Sequence, residues 1–169
     1  MRHKPLIVDL SDIKSLSLGA SLEIDVQGTP QELGLETEGV EFISPLRVQV
    51  NLLNERDVID AKGKITTEIR LECNRCLNEF SRPFERGFHL EYHRGSPKVY
   101  EGEWELKSTD LEKIYYQGDA IDLRDGIRDE IFLGIPMKPL CQDTCLGLCP
   151  LCGQDLNKER CNCRRKDTE

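Results

Sequence analysis

No apolar run in this sequence approaches the roughly 20 residues that a membrane-crossing helix requires, so no bilayer span is expected. The first residues, MRHKPLIVDLSD, begin basic, but Asp9 soon interrupts the apolar stretch that follows. Neither a signal peptide nor a membrane anchor is expected there. No serine sits in a nucleophile elbow, and no glycine-rich stretch fits a phosphate cradle. Repeats and low-complexity tracts are missing as well. Histidine is scarce, with three in 169 residues. Two of them, His89 and His93, have a spacing that suits a metal on a helix, but on a strand it sets them about 13 Å apart. The expectation is a chain without catalytic machinery or a small-molecule substrate.

What the chain does contain is cysteine. Six of its eight cysteines lie in residues 141–163, CQDTCLGLCPLCGQDLNKERCNC. A chain of this length can bury a real core and does not need cross-links merely to fold. Without an export signal the thiols are expected in the cytoplasm, a reducing compartment, where stable disulfides are uncommon and metal is the better use.

The charge is uneven. A formal net charge of −8 argues against broad, non-specific nucleic-acid binding. Residues 99–130 carry ten Asp/Glu against four Lys/Arg, whereas KERCNCRRK at 158–166 carries five basic side chains against one acid. An acidic total can therefore hide a local basic site.

The middle of the chain alternates. Leu46, Val48, Val50 and Leu52 share one strand face; Ile65, Thr67, Ile69, Leu71 and Cys73 share another, and Phe80, Phe84, Phe88, Leu90 and Tyr92 a third. Leu22, Ile24 and Val26 suit a further strand. Pro83 implies a bulge or an edge. The linkers NERD, DAKG and CNRCLN suit antiparallel hairpins. The interleaved Phe80, Arg82, Phe84, Arg86 and Phe88 could serve RNA stacking, but sheet core with snorkelling arginines is the preferred reading. Residues 95–118 read as an acidic surface excursion with a short strand at LEKIYY. A helix is expected at about 122–134, with Asp122 as N-cap, Leu123, Ile127 and Ile131 on the buried stripe, Arg124 and Arg128 opposite, and Pro136 as terminator. The expected class is α+β: mainly antiparallel β-sheet, open or barrel-like, with one covering C-terminal helix and a small Cys-rich zinc appendage. The expected division is 1–138 for the β-rich domain and 139–169 for the tail.

CPLCG at 149–153 is the sharpest motif, because a tight turn aims two thiolates at one ion and glycine relieves crowding after the second. The preferred zinc ligands are Cys149, Cys152, Cys161 and Cys163, since the stretch between the two pairs leaves room for a reversal. Cys141 and Cys145 are alternative ligands; the three residues between Cys145 and Cys149 look cramped for two separate sites. CNRC at 73–76 is a hairpin corner with Cys73 inward and Arg75 outward, or half of a second site completed by Cys141 and Cys145. A redox pair is disfavoured there, because it lies between strands rather than at a helix N-terminus.

Three stretches, LECNRCLNEF, IDLRDGIRDEIFLGIPMKPLC and CLGLCPLCGQDLNKERCNC, resemble the blocks of the YceD family, bacterial and plastid proteins named for accumulation of large-subunit ribosomal RNA. Cys73, Arg75 and Cys76 match the first block, and Asp129, Glu130 and Pro136 the second. The tail cysteines match one branch only, which implies that the zinc is an accessory. The resemblance implies a non-enzymatic cytoplasmic factor in ribosomal RNA processing and large-subunit assembly. Its partners would be large-subunit ribosomal RNA or its precursor, or a large-subunit ribosomal protein. Arg75, Arg164, Arg165 and Lys166 are the candidate contacts. The alternative is a zinc-containing protein–protein adaptor that does not touch RNA.

Overall fold

In the computed structural model, the described residues are 5–11, 19, 21–55, 58–96 and 113–163. Eight strands and two helices are the named elements among the described residues. In chain order they are β1 (Ile7–Asp9), β2 (Ser21–Gly28), α1 (Pro30–Leu33), β3 (Glu41–Phe42), β4 (Leu46–Glu55), β5 (Val58–Glu72), β6 (Glu79–Arg94), β7 (Lys113–Tyr116), β8 (Ala120–Asp122) and α2 (Arg124–Gly134).

The larger sheet has the order β2-β4-β5-β6-β7, with β3 also paired to β5 beyond the end of β4. Among the described residues β2 and β7 do not pair with each other, so the sheet is open rather than a closed barrel. Its pairings are antiparallel except the last, where β7 runs parallel to β6. A second sheet pairs β1 with β8.

Alternation decides which face is core. Leu46, Val48, Val50 and Leu52 of β4, Ile65 and Ile69 of β5, and Phe84, Phe88 and Tyr92 of β6 are all buried. Leu22, Ile24 and Val26 of β2 pack against that cluster half-buried. The opposite face is polar, with cross-strand pairs such as Arg47–Asp25 and Lys64–Glu85. The interleaved phenylalanines of β6 are thus core side chains. Arg86 reaches out from among them to Glu130 of α2 at 2.9 Å.

One detail departs from the sequence reading, and at Pro83 the structure selects the edge over the bulge. DAKG is no linker: β5 begins at Val58 and runs through it, with Asp60 buried, ion-paired to Lys62 and in contact with the His89 ring. Pro83 makes no bulge, because the β5–β6 register continues unbroken from Val58↔His93 to Glu72↔Glu79. Proline is accommodated there because, among the described residues, its other edge faces no partner strand, β7 pairing only with Glu91–Arg94.

α2 lies across β6, with Leu123, Ile127 and Ile131 all fully buried. Gly126 costs helix propensity but permits this close approach. A Cβ there would stand 2.7 Å from Leu90 Cδ1, and one at Gly134 would stand 2.8 Å from Phe84 Cζ. The N-cap is Leu123, with no side-chain cap bond, rather than Asp122. Burial of Leu123 draws the helix start inward, and Asp122 Oδ1 accepts the Arg124 backbone N–H at 3.0 Å from one position further out. The helix ends as expected: Ile135, forced towards extended backbone by Pro136, follows Gly134.

Arg128 is not a free surface residue. Its Nη2 donates to Gly34 O at 2.9 Å, tying α2 to the residue that ends α1, while Nη1 donates to Asp125. No helix among the described residues is long and apolar enough to cross a membrane.

Candidate metal centres

The eight cysteines gather into two groups of four. Cys73, Cys76, Cys141 and Cys145 form one, Cys149, Cys152, Cys161 and Cys163 the other, and within each the sulfurs lie within 4.8 Å of one another. In the first group Cys73 Sγ is 3.7 Å from Cys145 Sγ, and Cys76 Sγ is 3.7 Å from Cys141 Sγ. A disulfide would hold its sulfurs about 2.05 Å apart. Four sulfurs placed tetrahedrally about 2.3 Å from one ion stand about 3.8 Å apart. The observed separations fit that tetrahedron, and an all-thiolate donor set selects a soft or borderline metal.

Both groups are built on the same backbone turn. The hairpin loop from β5 to β6 contains Cys73-Asn74-Arg75-Cys76-Leu77-Asn78. In it Leu77 N donates to Cys73 O at 2.9 Å, and Cys73 N donates to Asn78 O at 3.0 Å. In the tail Gly153 N donates to Cys149 O at 2.8 Å, and Cys149 N donates to Gln154 O at 2.8 Å. The residue after each second cysteine is left-handed, Leu77 with φ 57° and Gly153 with φ 74°. Glycine made the second turn easy to read. Leucine hid the first, since a left-handed non-glycine residue costs roughly 1–2 kcal/mol. Leu77→Gly should therefore stabilise the protein by about 0.5–1 kcal/mol, because that strain is relieved and the side chain is largely exposed. Chemical denaturation checks this, and a loss of stability would contradict the shared turn.

Cys141 and Cys145, the alternative ligands for the tail site, go instead to the hairpin cysteines. The short link from Cys145 to Cys149 suffices because Gly147 turns the chain with φ 75°. It passes so close to the hairpin that a Cβ on Gly147 would lie 2.9 Å from Arg75 O. Leu148 N donates to that same carbonyl at 3.0 Å, and Asn74 N donates to Pro139 O at 2.9 Å. Arg75 donates from Nη1 to Cys145 O at 2.9 Å, so part of its guanidinium holds the Cys141–Cys145 loop. Arg164, Arg165 and Lys166 lie outside the described residues.

Three polar residues escaped the sequence reading. Asn157 donates from Nδ2 to Cys145 Sγ at 3.4 Å and accepts from Leu146 N at 2.8 Å. Asp155 accepts from Asn78 Nδ2 at 2.7 Å, bridging tail to hairpin. The Asn157 backbone N–H, then Asn78, hold the Asp155 carboxyl below its usual range. That contribution is present above the ordinary carboxylate pKa and is lost as pH falls through the lowered value. The D-x-N spacing was the available signal, but it reads equally as a solvated turn.

The electrostatics differ from thiol to thiol. Cys149 is lowered to about 6 by the backbone N–H groups of Leu151 and Cys152 and by the Cys161 thiol. Burial pushes Cys73 up, but N–H groups of Cys141, Cys76 and Arg75 outweigh it and bring the thiol to about 6. Burial and its three neighbouring thiols push Cys141 up to about 12, and contact with Cys152, then burial, does the same for Cys163. Each group thus starts to ionise readily and then resists further ionisation, as like charges in close quarters must. A divalent cation at the centre removes that resistance. The first group is the drier one: Cys73, Cys76 and Cys145 are buried against Phe80, Leu140 and Leu148 with Cys141 exposed, whereas in the second only Cys149 is buried.

Residues 61–169 match the family described as "Large ribosomal RNA subunit accumulation protein YceD". The matched span covers both cysteine groups, α2 and most of the β5–β6 hairpin. Over 186 residues the chain is 26% identical to the chloroplastic Large ribosomal RNA subunit accumulation protein YCED homolog 1 of Arabidopsis thaliana, covering 97% of this chain and 54% of that one. The Zea mays protein of the same name is 24% identical, with 94% and 64% covered. An uncharacterized protein of Mycobacterium tuberculosis is 26% identical, with 94% and 75% covered. The chain thus spans between half and two thirds of the length of the two plant relatives. No solved structure matches. Proteins of this family are non-catalytic accessory factors. On the match over residues 61–169, the chain belongs to the YceD family of large ribosomal RNA subunit accumulation proteins.

Proposed function

We propose that this chain supports accumulation of large-subunit ribosomal RNA and assembly of the large subunit as a zinc-holding scaffold in the cytoplasm. Two zinc ions are held, one by Cys73, Cys76, Cys141 and Cys145, the other by Cys149, Cys152, Cys161 and Cys163. On this reading residues 1–138 are the sheet unit and 139–169 a metal-held tail, with the first ion fastening the tail to the β5–β6 hairpin. The observation that carries the proposal is the pair of four-sulfur groups inside the family-matched span, each gathered within 4.8 Å and the first with two contacts of 3.7 Å. The basic end of the tail, Arg164, Arg165 and Lys166, follows Cys163 directly in sequence, and the exposed Arg75 belongs to the CNRC turn of the first cluster. Local positive charge of this kind attracts phosphate even on an acidic chain.

The test is binding to large-subunit ribosomal RNA or its precursor, measured across salt concentrations. Replacing Arg164, Arg165 and Lys166 by alanine should weaken binding. It should also reduce the slope of log affinity against log salt by about two to three units, because each lost phosphate contact releases about one fewer counterion. Unchanged binding and slope would reject the tail as the contact and favour an adaptor that grips a ribosomal protein instead.

A further inference from the structure

The outward face of α2 carries side chains that fold stability does not need. Asp125, Asp129, Phe132 and Leu133 follow helical spacing along that face, and Met137 comes three residues after the helix ends at Gly134. Phe132 is 60% exposed, Leu133 69% and Met137 97%, although the same helix buries Ile127 and Ile131 completely. Three large apolar side chains left in water within six residues of sequence on a charged protein mark a contact surface.

Charge indicates what covers it. Residues 119–130 hold five acids against two arginines. Both arginines are engaged, Arg124 by Asp122 and Arg128 by Asp125 and Gly34 O, and Glu130 is paired with Arg86. Among the described residues no cation is paired with Asp129, and Lys138 stands beyond Met137 at the far end. Nucleic acid and anionic lipid are repelled from such a surface, and a second copy of this acidic chain is disfavoured by like charge.

We infer that the Asp129–Phe132–Leu133–Met137 face of α2 docks a protein segment carrying Lys or Arg beside apolar side chains. The apolar trio supplies the desolvated centre and the acids the steering rim, as in helix-face recognition generally. This face is distinct from the cysteine groups and the basic tail, and the inference stands whether or not those hold zinc or RNA.

Met137 makes the test direct, because the chain has only two methionines, Met1 and Met137. Full-length protein labelled at its methionine methyl groups is titrated, by NMR and fluorescence anisotropy, with a synthetic amphipathic Lys/Leu peptide. The controls are a Lys/Ser version, a Glu/Leu version and an oligouridine RNA. The Lys/Leu peptide should shift the Met137 methyl and bind at least about tenfold more tightly than any control. Phe132→Ser with Leu133→Ser, and separately Asp129→Lys, should each weaken it by about tenfold or more while the melting temperature holds. An unmoved Met137 signal, equal binding of the Lys/Ser peptide, or undiminished binding by the serine variant overturns the inference. So does a Met137 shift caused by RNA, or by raised protein concentration alone, which would assign the face to nucleic acid or to a second copy.

Discussion

Serine in place of Cys73 and Cys76 is expected to release the tail from the sheet. Those thiols supply half of the group that joins the β5–β6 hairpin to Cys141 and Cys145, which are 65 or more residues away in sequence. The remaining stitches are a few hydrogen bonds, such as Leu148 N to Arg75 O and Asn78 to Asp155. Each contributes about 1 kcal/mol net. A structural zinc in a small peptide contributes about 10–16 kcal/mol of apparent binding energy, so an ion held by the first group would outweigh the stitches. Limited proteolysis should therefore cut the variant throughout 139–163 while the strands stay protected. Cys149→Ser with Cys152→Ser should expose only the stretch after Cys149, because the first group is intact. A tail that keeps its full resistance without Cys73 and Cys76 would contradict the fastening.

Ile127→Ala should cost about 2–5 kcal/mol in unfolding free energy, the range for truncating a fully buried aliphatic side chain. Gly126 and Gly134 bring α2 so close to β6 that the sheet has little freedom to close the gap. Phe132→Ala, on the exposed side of the same helix, should change stability by less than about 0.5 kcal/mol. Arg128→Ala belongs between them at about 1–2 kcal/mol, because it strips the Gly34 carbonyl of its donor. Denaturant melts of the three variants check the order. Equal losses at Ile127 and Phe132 would mean that the helix packs by another face.

Periodicity in the sequence was enough to locate the long strands β2, β4, β5 and β6 and the buried stripe of α2, because side chains at every second position, or at three and four apart, must share an environment. It gave no access to contacts whose partners lie far apart in the chain. β1 pairs with β8 across more than a hundred residues, and β7 adds itself parallel to β6; neither leaves a periodic mark in three- or four-residue strands. DAKG looked like a turn because it contains Asp and Gly. In the fold Asp60 Oδ2 accepts from Lys62 while His89 lies against Oδ1, and Gly63 sits where Phe88 needs its space. Arg128 looked exposed because only its own helix was considered, while its partner is the Gly34 carbonyl.

The cysteine site was legible unevenly, and for similar reasons. Gly153 announced one turn, whereas the equivalent turn at Leu77 is written with a residue that ordinarily avoids left-handed backbone. The division of eight thiols into two fours could be counted, but the close spacing of Cys145 and Cys149 argued against it. Gly147 resolves the difficulty by a tight turn against the Arg75 carbonyl, a contact between residues 72 positions apart. The three-way network of Asn78, Asp155 and Asn157 had no distinctive spacing at all.

The central claim is that two tetrathiolate sites each hold one zinc ion, the first fastening tail to sheet. Native mass spectrometry of the full chain, purified under reducing conditions without chelator, measures this directly. Two zinc ions per chain are expected, falling to one in Cys149→Ser/Cys152→Ser protein and to one in Cys73→Ser/Cys76→Ser protein. A chain that carries no metal with all eight cysteines reduced, or that retains both ions after either double substitution, would contradict the account.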